Sequence, residues 1–229
     1  DAYWAQRILP DLLGELDGGC RVLYDYDLRL VEIIGEMQHR GIDFDRRGAA
    51  DTLTFLEVEN ATLADIIDQL AMQTGYERPP SVKTCSSCRN GTRKRLTCNE
   101  CNGTGQWAER VSINPGSPLQ VADWLHQHLG LPVQKVSETT RQPSVDALSL
   151  LRLREHHAAP YLLLTWKQNE KYIGYLESWL KWSKADSKLH SVLTLSRTRS
   201  GRLSSEAPNQ QQVKLDWRRH FVAPDGGAL

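Results

Sequence analysis

The chain has 229 residues, with 28 basic and 28 acidic side chains and an apolar fraction of 40 %. A mean hydropathy of −0.49, without an apolar run of about 18 residues, excludes a membrane-spanning helix. The first residues have neither a basic segment nor a small-residue cleavage site, so a signal peptide is not expected.

The charges are unevenly distributed along the chain. Residues 1–70 carry 15 acidic and 6 basic side chains, a net charge of −9. Residues 71–229 carry 13 acidic and 22 basic side chains, a net charge of +9. The positive part could attract a polyanion, but ordinary surface charge that segregates by chance gives the same pattern.

Two helices are predicted in the first third of the chain. The first covers 27–40 and is expected to end at Gly41. Its apolar stripe consists of Leu28, Val31, Ile33 or Ile34, and Met37. The second covers 49–74, where leucines and isoleucines recur at three- and four-residue steps. Prolines within 76–80 end it.

Three further helices and one strand are predicted downstream. The segment 117–130 has Ser117 as N-cap, Pro118 at the first helical position and Gly130 as C-cap. The segment 144–157 has Ser144 as cap, and 161–182 forms one long helix. That helix contains Trp166, Trp179 and Trp182, which could stack on bases but which helical spacing assigns to the core. Alternating apolar and polar residues at 190–198 predict a strand, so β structure is expected only near the C-terminus.

Four cysteines form a C-x2-C-x9-C-x2-C pattern: Cys85, Cys88, Cys98 and Cys101. Two such pairs can close a tetrahedral Zn²⁺ site, and four protein ligands make that zinc structural. Gly103 and Gly105 permit a turn whose N–H groups point at sulfur. The second pair resembles the C-x-x-C-x-G-x-G unit of DnaJ-type zinc ribbons. Disulfides are the alternative, and Cys20 is interpreted as a buried or incidental thiol.

Basic residues cluster between the two cysteine pairs. Residues 78–110 contain seven basic and two acidic side chains, including Arg93, Lys94 and Arg95. A hairpin held by zinc with a basic tip is suited to contacting phosphates. A merely solvated hairpin and a surface for a partner protein are the other interpretations.

The segment 197–226 contains the most specific motif. It reads RTRSGRLSSEAPNQQQVKLDWRRHFVAPDG, with GRLSS at 201–205, Pro208-Asn209 and Gln211. This pattern closely resembles T-G-R-L-S-S-x-x-P-N-L-Q-N followed by R-x-x-F-x-A-P in family A DNA polymerases, the bacterial polymerase I type. Arg218, Phe221, Ala223 and Pro224 match the second part. Ser200, Gln210 and Gln212 replace the usual Thr, Leu and Asn.

Other segments resemble the same family in the same order. EMQHRGIDFD at 36–45, NPGSPLQVADWLHQHLGLP at 114–132 and QPSVDALSLL at 142–151 are similar to segments of the polymerase thumb. WKQNEKYIGYL at 166–176 aligns with the helix from thumb to palm. DAYWAQRILPDL at the start is similar to the last exonuclease helix, so Asp1 is a candidate exonuclease metal ligand.

The resemblance implies a mainly α fold, α+β in the complete enzyme. Residues 1–26 would end a 3′–5′ exonuclease-like domain, and 27–189 would form the thumb, interrupted by a zinc-ribbon insertion at 78–112. Residues 190–229 would begin the palm. The family's D-Y-S-x-x-E motif, whose Asp binds the catalytic Mg²⁺, has no counterpart here. We therefore expect a fragment that is inactive alone, with Mg²⁺ acting in the complete polymerase.

The resemblance also assigns residues to DNA contact. Arg202, Asn209 and Gln211 would lie near the primer terminus, where long donors reach minor-groove acceptors present on every base pair. Phosphate or primer-strand contacts would come from Lys171, Lys167 and Arg218. The zinc hairpin would add Arg93, Lys94 and Arg95 or would instead dock a partner.

The expected function is therefore part of a DNA-directed DNA polymerase that grips primer–template duplex. The expected partners are that DNA and either a processivity factor or the remaining polymerase polypeptide, in the cytoplasm of a bacterium or phage-infected host. The alternative is a free-standing zinc-ribbon module that binds DNA or docks a processivity partner.

Overall fold

The computed structural model describes residues 2–85, 87, 98, 101, 104–195, 197 and 202–223, with backbone only at 2–6, 107 and 108. The helices are α1 (Ala2–Glu15), α2 (Gly18–Arg40), α3 (Arg46–Gln73), α4 (Pro118–Asp123), α5 (Ala147–Leu153) and α6 (Ala158–Trp182). A π-helical segment, Trp124–His128, continues α4, and a 3₁₀ helix covers Leu215–His220. No helix among the described residues is long and apolar enough to cross a bilayer.

Seven short strands complete the described elements. They are β1 (Ile42–Phe44), β2 (Ser81–Thr84), β3 (Gln106–Glu109), β4 (Lys188–Leu189), β5 (Val192–Thr194), β6 (Ser204–Glu206) and β7 (Phe221–Val222). They form an antiparallel sheet in the order β4-β1-β7 and two antiparallel pairs, β2-β3 and β5-β6. The mainly α prediction is confirmed.

The chain divides into two compact units. Unit 1 contains residues 1–53 and 174–229, and unit 2 contains residues 54–173. The helices α3 and α6 contribute residues to both. The predicted subdomains, with boundaries at 26, at 189 and around 78–112, are assigned by resemblance. They do not coincide with these two compact units.

The core of unit 1 is aromatic. Phe44 of β1 contacts Trp179 of α6 and Phe221 of β7, with ring centroids 6.0 Å away in both cases. Trp179 and Phe221 are 5.2 Å apart. Arg46 donates to the Leu180 carbonyl at 2.6 Å and thereby satisfies a carbonyl at the C-terminal end of α6. These contacts fix α6 against the three-stranded sheet.

The core of unit 2 is built from helices. Ile67 of α3, Trp124 of the π-helical segment and Leu163 of α6 are fully buried in one cluster, together with Val121, Leu125 and Leu150. The Trp124 indole N–H donates to Thr74 Oγ1 at 2.9 Å, which satisfies its polar atom inside the core. This packing holds α3, α4, α5 and α6 of unit 2 together.

The five helices predicted from residue 27 onward correspond to α2 to α6, but α2 begins at Gly18 and α5 covers only Ala147–Leu153. Gly41 is the C-cap of α2 at φ 63°, as predicted, and its N–H donates to the Met37 carbonyl. Ser144 is not the N-cap of α5. Asp146 takes that position, because its carboxylate accepts from the Ser149 N–H at 2.8 Å.

Other predictions are wrong in informative ways. β structure is not confined to the C-terminal region, since β1, β2 and β3 all lie before residue 110. The strand β1 forms by pairing with β4 and β7, which are distant from it in sequence. Trp182 is 47 % exposed rather than in the core. On α2, Ile34 is buried, whereas the rest of the predicted apolar stripe is about half exposed.

Candidate metal centre and nucleic-acid interface

Three of the four predicted metal-ligating cysteines come together in unit 2. The sulfur atoms of Cys85, Cys98 and Cys101 all lie within 4.8 Å of one another, and Cys85 and Cys98 are 3.7 Å apart. Cys88 lies outside the described residues. Cys20 lies apart from this cluster and is exposed on α2.

The sequence around Cys85 and Cys101 explains how the sulfurs meet. Cys85 follows β2 directly, and its N–H donates to the Gly105 carbonyl at 2.9 Å. Gly105 adopts φ 74°, and its N–H donates to Cys101 Sγ at 3.3 Å. The glycine therefore permits the turn and the N–H···S contact that the sequence predicted.

The thiol geometry fits a tetrahedral metal. Sulfurs bound at about 2.3 Å to one Zn²⁺ stand about 3.8 Å apart, close to the 3.7 Å between Cys85 and Cys98. Cys85 and Cys101 are buried, which excludes water from most of the cluster. The described cysteines can thus hold a metal ion, and all-thiolate ligation favours zinc over magnesium or calcium.

The chain that returns from β3 is anchored on α3 by contacts that the sequence analysis missed. Arg110 donates to both carboxylate oxygens of Asp68 at 2.7 and 2.9 Å, and Asp68 also accepts from the Ile113 N–H. The hydrogen bond from Arg110 is the largest cause that lowers the pKa of Asp68. On the entering side, Arg78 donates to the Ser112 carbonyl at 3.2 Å. Both ends of the hairpin are therefore held beside the helical core.

The polymerase-like motif lies in unit 1, on β6 and the turn after it. Arg202 precedes β6 and is exposed. Asn209 accepts from the Gln211 N–H at 3.0 Å, and Gln211 donates its side-chain amide to the Leu203 carbonyl at 2.9 Å. The motif residues are thus joined in one turn, with Arg202 at its edge.

Arg218 lies in the same unit and is exposed on the 3₁₀ helix. It lines a cavity of about 280 Å³ together with Ile42, Gln210, Val213 and Phe221. Its neighbour Trp217 is buried, 5.3 Å from the ring of Tyr175. The buried tryptophan fixes the 3₁₀ helix and leaves Arg218 at the surface.

The two α6 lysines differ in their surroundings. Lys167 is partly buried and donates to the Val145 carbonyl at 2.7 Å. Burial lowers the pKa of Lys167, against the smaller opposing attraction of Asp146. Lys171, one turn later, is exposed. Lys171 is thus exposed where a phosphate could contact it, whereas the ammonium of Lys167 already donates to a carbonyl inside the protein.

The remaining predicted site residues, Asp1, Arg93, Lys94 and Arg95, lie outside the described residues.

Comparison with known proteins identifies the family. The model of DNA polymerase family A matches residues 84–229. The chain belongs to DNA polymerase family A. The matched range of this family A chain includes the four cysteines, α6 and the GRLSS motif.

Curated relatives match just under half of the chain. DNA polymerase I of Helicobacter pylori is 33 % identical over 106 residues, which is 46 % of this chain and 11 % of the relative. DNA polymerase I of Bacillus subtilis is 34 % identical over 104 residues, 45 % of this chain and 12 % of the relative. The matched segment therefore spans about one tenth of these relatives.

A solved structure has the same fold. The polymerase domain of Pol1 from M. smegmatis, in complex with DNA primer-template and dNTP, matches with a TM-score of 0.59 and 23 % identity. The match covers 88 % of this chain and 30 % of that one. The likeness extends to most of the chain, including parts that lie before the family-model match.

Proposed function

We propose that this chain is part of a DNA-directed DNA polymerase and that its own residues grip primer–template duplex. The observation that carries the proposal is the GRLSS-x-x-Pro-Asn-x-Gln motif in the family-matched range, with Arg202 exposed at the edge of its turn. Template-directed transfer of nucleotides to a primer 3′-OH would be the activity of the complete polymerase. Mg²⁺ would act there, and this chain carries no counterpart of the family's D-Y-S motif.

The duplex contacts follow from the chemistry of the motif side chains. Arg202 has five N–H donors and can reach the purine N3 and pyrimidine O2 acceptors that line every minor groove. Because every base pair offers such an acceptor, this contact does not depend on sequence. Gln211 and Asn209 hold the turn and would add amide groups near the primer terminus. Exposed Lys171 and Arg218 would contact phosphates, which position the duplex.

We also propose that Cys85, Cys88, Cys98 and Cys101 bind one structural Zn²⁺. The support is the 3.7 Å sulfur separation, the burial of two thiols and the N–H···S contact from Gly105. With four protein ligands the ion would close the hairpin and offer no open position for chemistry. Arg93, Lys94 and Arg95, between the cysteine pairs, would then contact DNA phosphates.

The subdomain assignment is part of the same proposal. Residues 1–26 would belong to the end of an exonuclease-like domain, with Asp1 as a metal ligand. Residues 27–189 would be the thumb with its 78–112 insertion, and 190–229 the start of the palm. The protein would act in the cytoplasm of a bacterium or phage-infected host. A processivity factor or the remaining polymerase polypeptide would be its protein partner.

The test is a binding titration of the chain with fluorescent primer–template duplexes of two unrelated sequences at several salt concentrations. Equal affinities for both sequences are expected, with binding that weakens steeply as salt rises. Replacing both Lys171 and Arg218 by Ala should weaken binding and reduce the salt dependence. The matched control is Arg29→Ala, an exposed arginine on acidic α2. Absence of duplex binding, or equal effects of both variants, would refute the proposal.

A further inference from the structure

The C-terminal end of α2 is tied to the strand that supports the polymerase motif. Gln38 makes both contacts. Its backbone carbonyl accepts from His190 Nδ1 at 2.6 Å, and its side-chain Oε1 accepts from the Leu193 N–H at 2.5 Å. Leu193 is the central residue of β5. One glutamine of α2 therefore contacts both β5 and His190, which lies two residues before it.

The strand β5 in turn fixes β6. Leu193 pairs with Ser205, and Thr194 pairs with Ser204 in antiparallel register. Arg202 lies two residues before Ser204, so its backbone position is set by this pairing. A displacement of β5 relative to α2 would consequently move Arg202 with it.

His190 is built into this connection as a double donor. Its Nε2 lies 2.9 Å from Asp186 Oδ2, while its Nδ1 faces the Gln38 carbonyl. A carbonyl and a carboxylate are both acceptors, so both ring nitrogens must carry protons to satisfy them. The imidazolium form of His190 therefore matches the geometry, and the neutral ring must lose one of the two contacts.

Gly41 makes room for this ring. A Cβ at position 41 would lie 2.7 Å from His190 Cε1, and Gly41 has φ 63°, where other residues are strained. Gly41 thus caps the C-terminus of α2 and also leaves space for the imidazole of His190.

The neighbouring charges favour the protonated ring. The charge of Asp186 favours the protonated ring, and that of Lys188 on β4 disfavours it. Lys188 is itself paired with Asp43 at 2.8 Å. The hydrogen bond to Gln38, followed by that to Asp186, raises the pKa of His190 above 6.5. The hydrogen bond between His190 and Asp186 lowers the pKa of Asp186. The doubly bonded ring is thus present between the two values and is lost as pH rises through that of His190.

We propose that His190 and Gln38 are positioning residues for Arg202, and that loss of the His190 proton removes one of the two ring contacts, loosens β5 and β6 against α2 and withdraws Arg202 from the minor groove. This rests on the proposed duplex contact of Arg202.

The test uses paired primer–template duplexes with guanine or 3-deazaguanine at the primer terminus. The analogue lacks the N3 acceptor, so the ratio of the two affinities reports the Arg202 contact. For the wild-type chain at about pH 6 we expect a ratio of about tenfold, the usual effect of losing a hydrogen bond to a charged group. The ratio should fall towards one as the pH rises through the raised pKa of the histidine. His190→Ala should give a ratio near one at low and at high pH.

Two control variants make the outcomes distinct. His39→Ala, an exposed histidine on the same helix, should behave like wild type, and Arg202→Ala should give a ratio near one throughout. A wild-type ratio that persists at high pH, or survives His190→Ala, would overturn the positioning role. A ratio near one for wild type at low pH would instead overturn the minor-groove contact of the proposed function. In the DNA-free chain, the Leu193 amide chemical shift should titrate with the His190 ring, and this coupling should vanish in His190→Ala.

Discussion

Removal of two cysteine ligands should abolish zinc binding without unfolding the helical core. The double substitution Cys98→Ser and Cys101→Ser leaves too few thiolates to hold the ion. The fit between the 3.7 Å sulfur separation and the about 3.8 Å of a tetrahedral zinc–thiolate site predicts full occupancy. Such sites contribute about 10–16 kcal/mol of apparent binding free energy, so one equivalent should survive dialysis.

The effect on the fold should be local to the hairpin. The core cluster around Ile67, Trp124 and Leu163 contains none of the cysteines. Asp68 and Arg110 anchor the chain after β3 independently of the metal. Hydrogen exchange should therefore accelerate in β2 and β3 of the double variant, whereas α3 and α6 keep their protection.

Elemental analysis of protein purified without chelator provides the assay, with mass spectrometry to count free thiols. Cys20→Ser is the matched control, because Cys20 is exposed on α2 and far in sequence from the cluster. It should retain one zinc per chain, whereas the double variant should hold none. A metal-free wild type with a disulfide between the cysteine pairs would refute the zinc site.

Three further outcomes are expected. Asp68→Asn should lower the urea midpoint of unfolding at neutral pH, because it removes the carboxylate that pairs with Arg110. The pKa of this carboxyl lies below the ordinary 3.8, so the difference from wild type should disappear as the pH falls through that lowered pKa. The triple substitution of Arg93, Lys94 and Arg95 by Ala should weaken duplex binding equally for all sequences and reduce the log–log salt slope by about 0.9 for each lost phosphate contact, as salt titrations would show. The 229-residue chain alone should give only background primer extension with Mg²⁺ and all four nucleotides; template-dependent extension free of host polymerase would contradict this.

Local signals made the helices predictable. Gly41, Pro118 and Gly130 mark helix ends by backbone chemistry that depends on one or two residues. The cysteine spacing likewise indicated the cluster, because paired knuckles are a local pattern. Capping by Asp146 rather than Ser144 was ambiguous, since both residue types cap helices well.

Non-local contacts could not be predicted in the same way. β1 has three residues, too few to show alternation, and its partners lie about 145 and 180 residues away along the chain. The pairing of Asp68 with Arg110 and the seat of His190 at Gly41 also depend on tertiary packing. The resemblance predicted a phosphate or primer-strand contact for Lys167, and only the fold brings its ammonium to the Val145 carbonyl.

Hydrogen exchange of the chain with and without primer–template duplex would test most directly whether the polymerase motif grips DNA. Protection is expected across 202–211 and at Lys171 and Arg218, with no change in α1. Protection confined to β2, β3 and the segment between them would contradict this and identify a zinc-ribbon DNA-binding module instead.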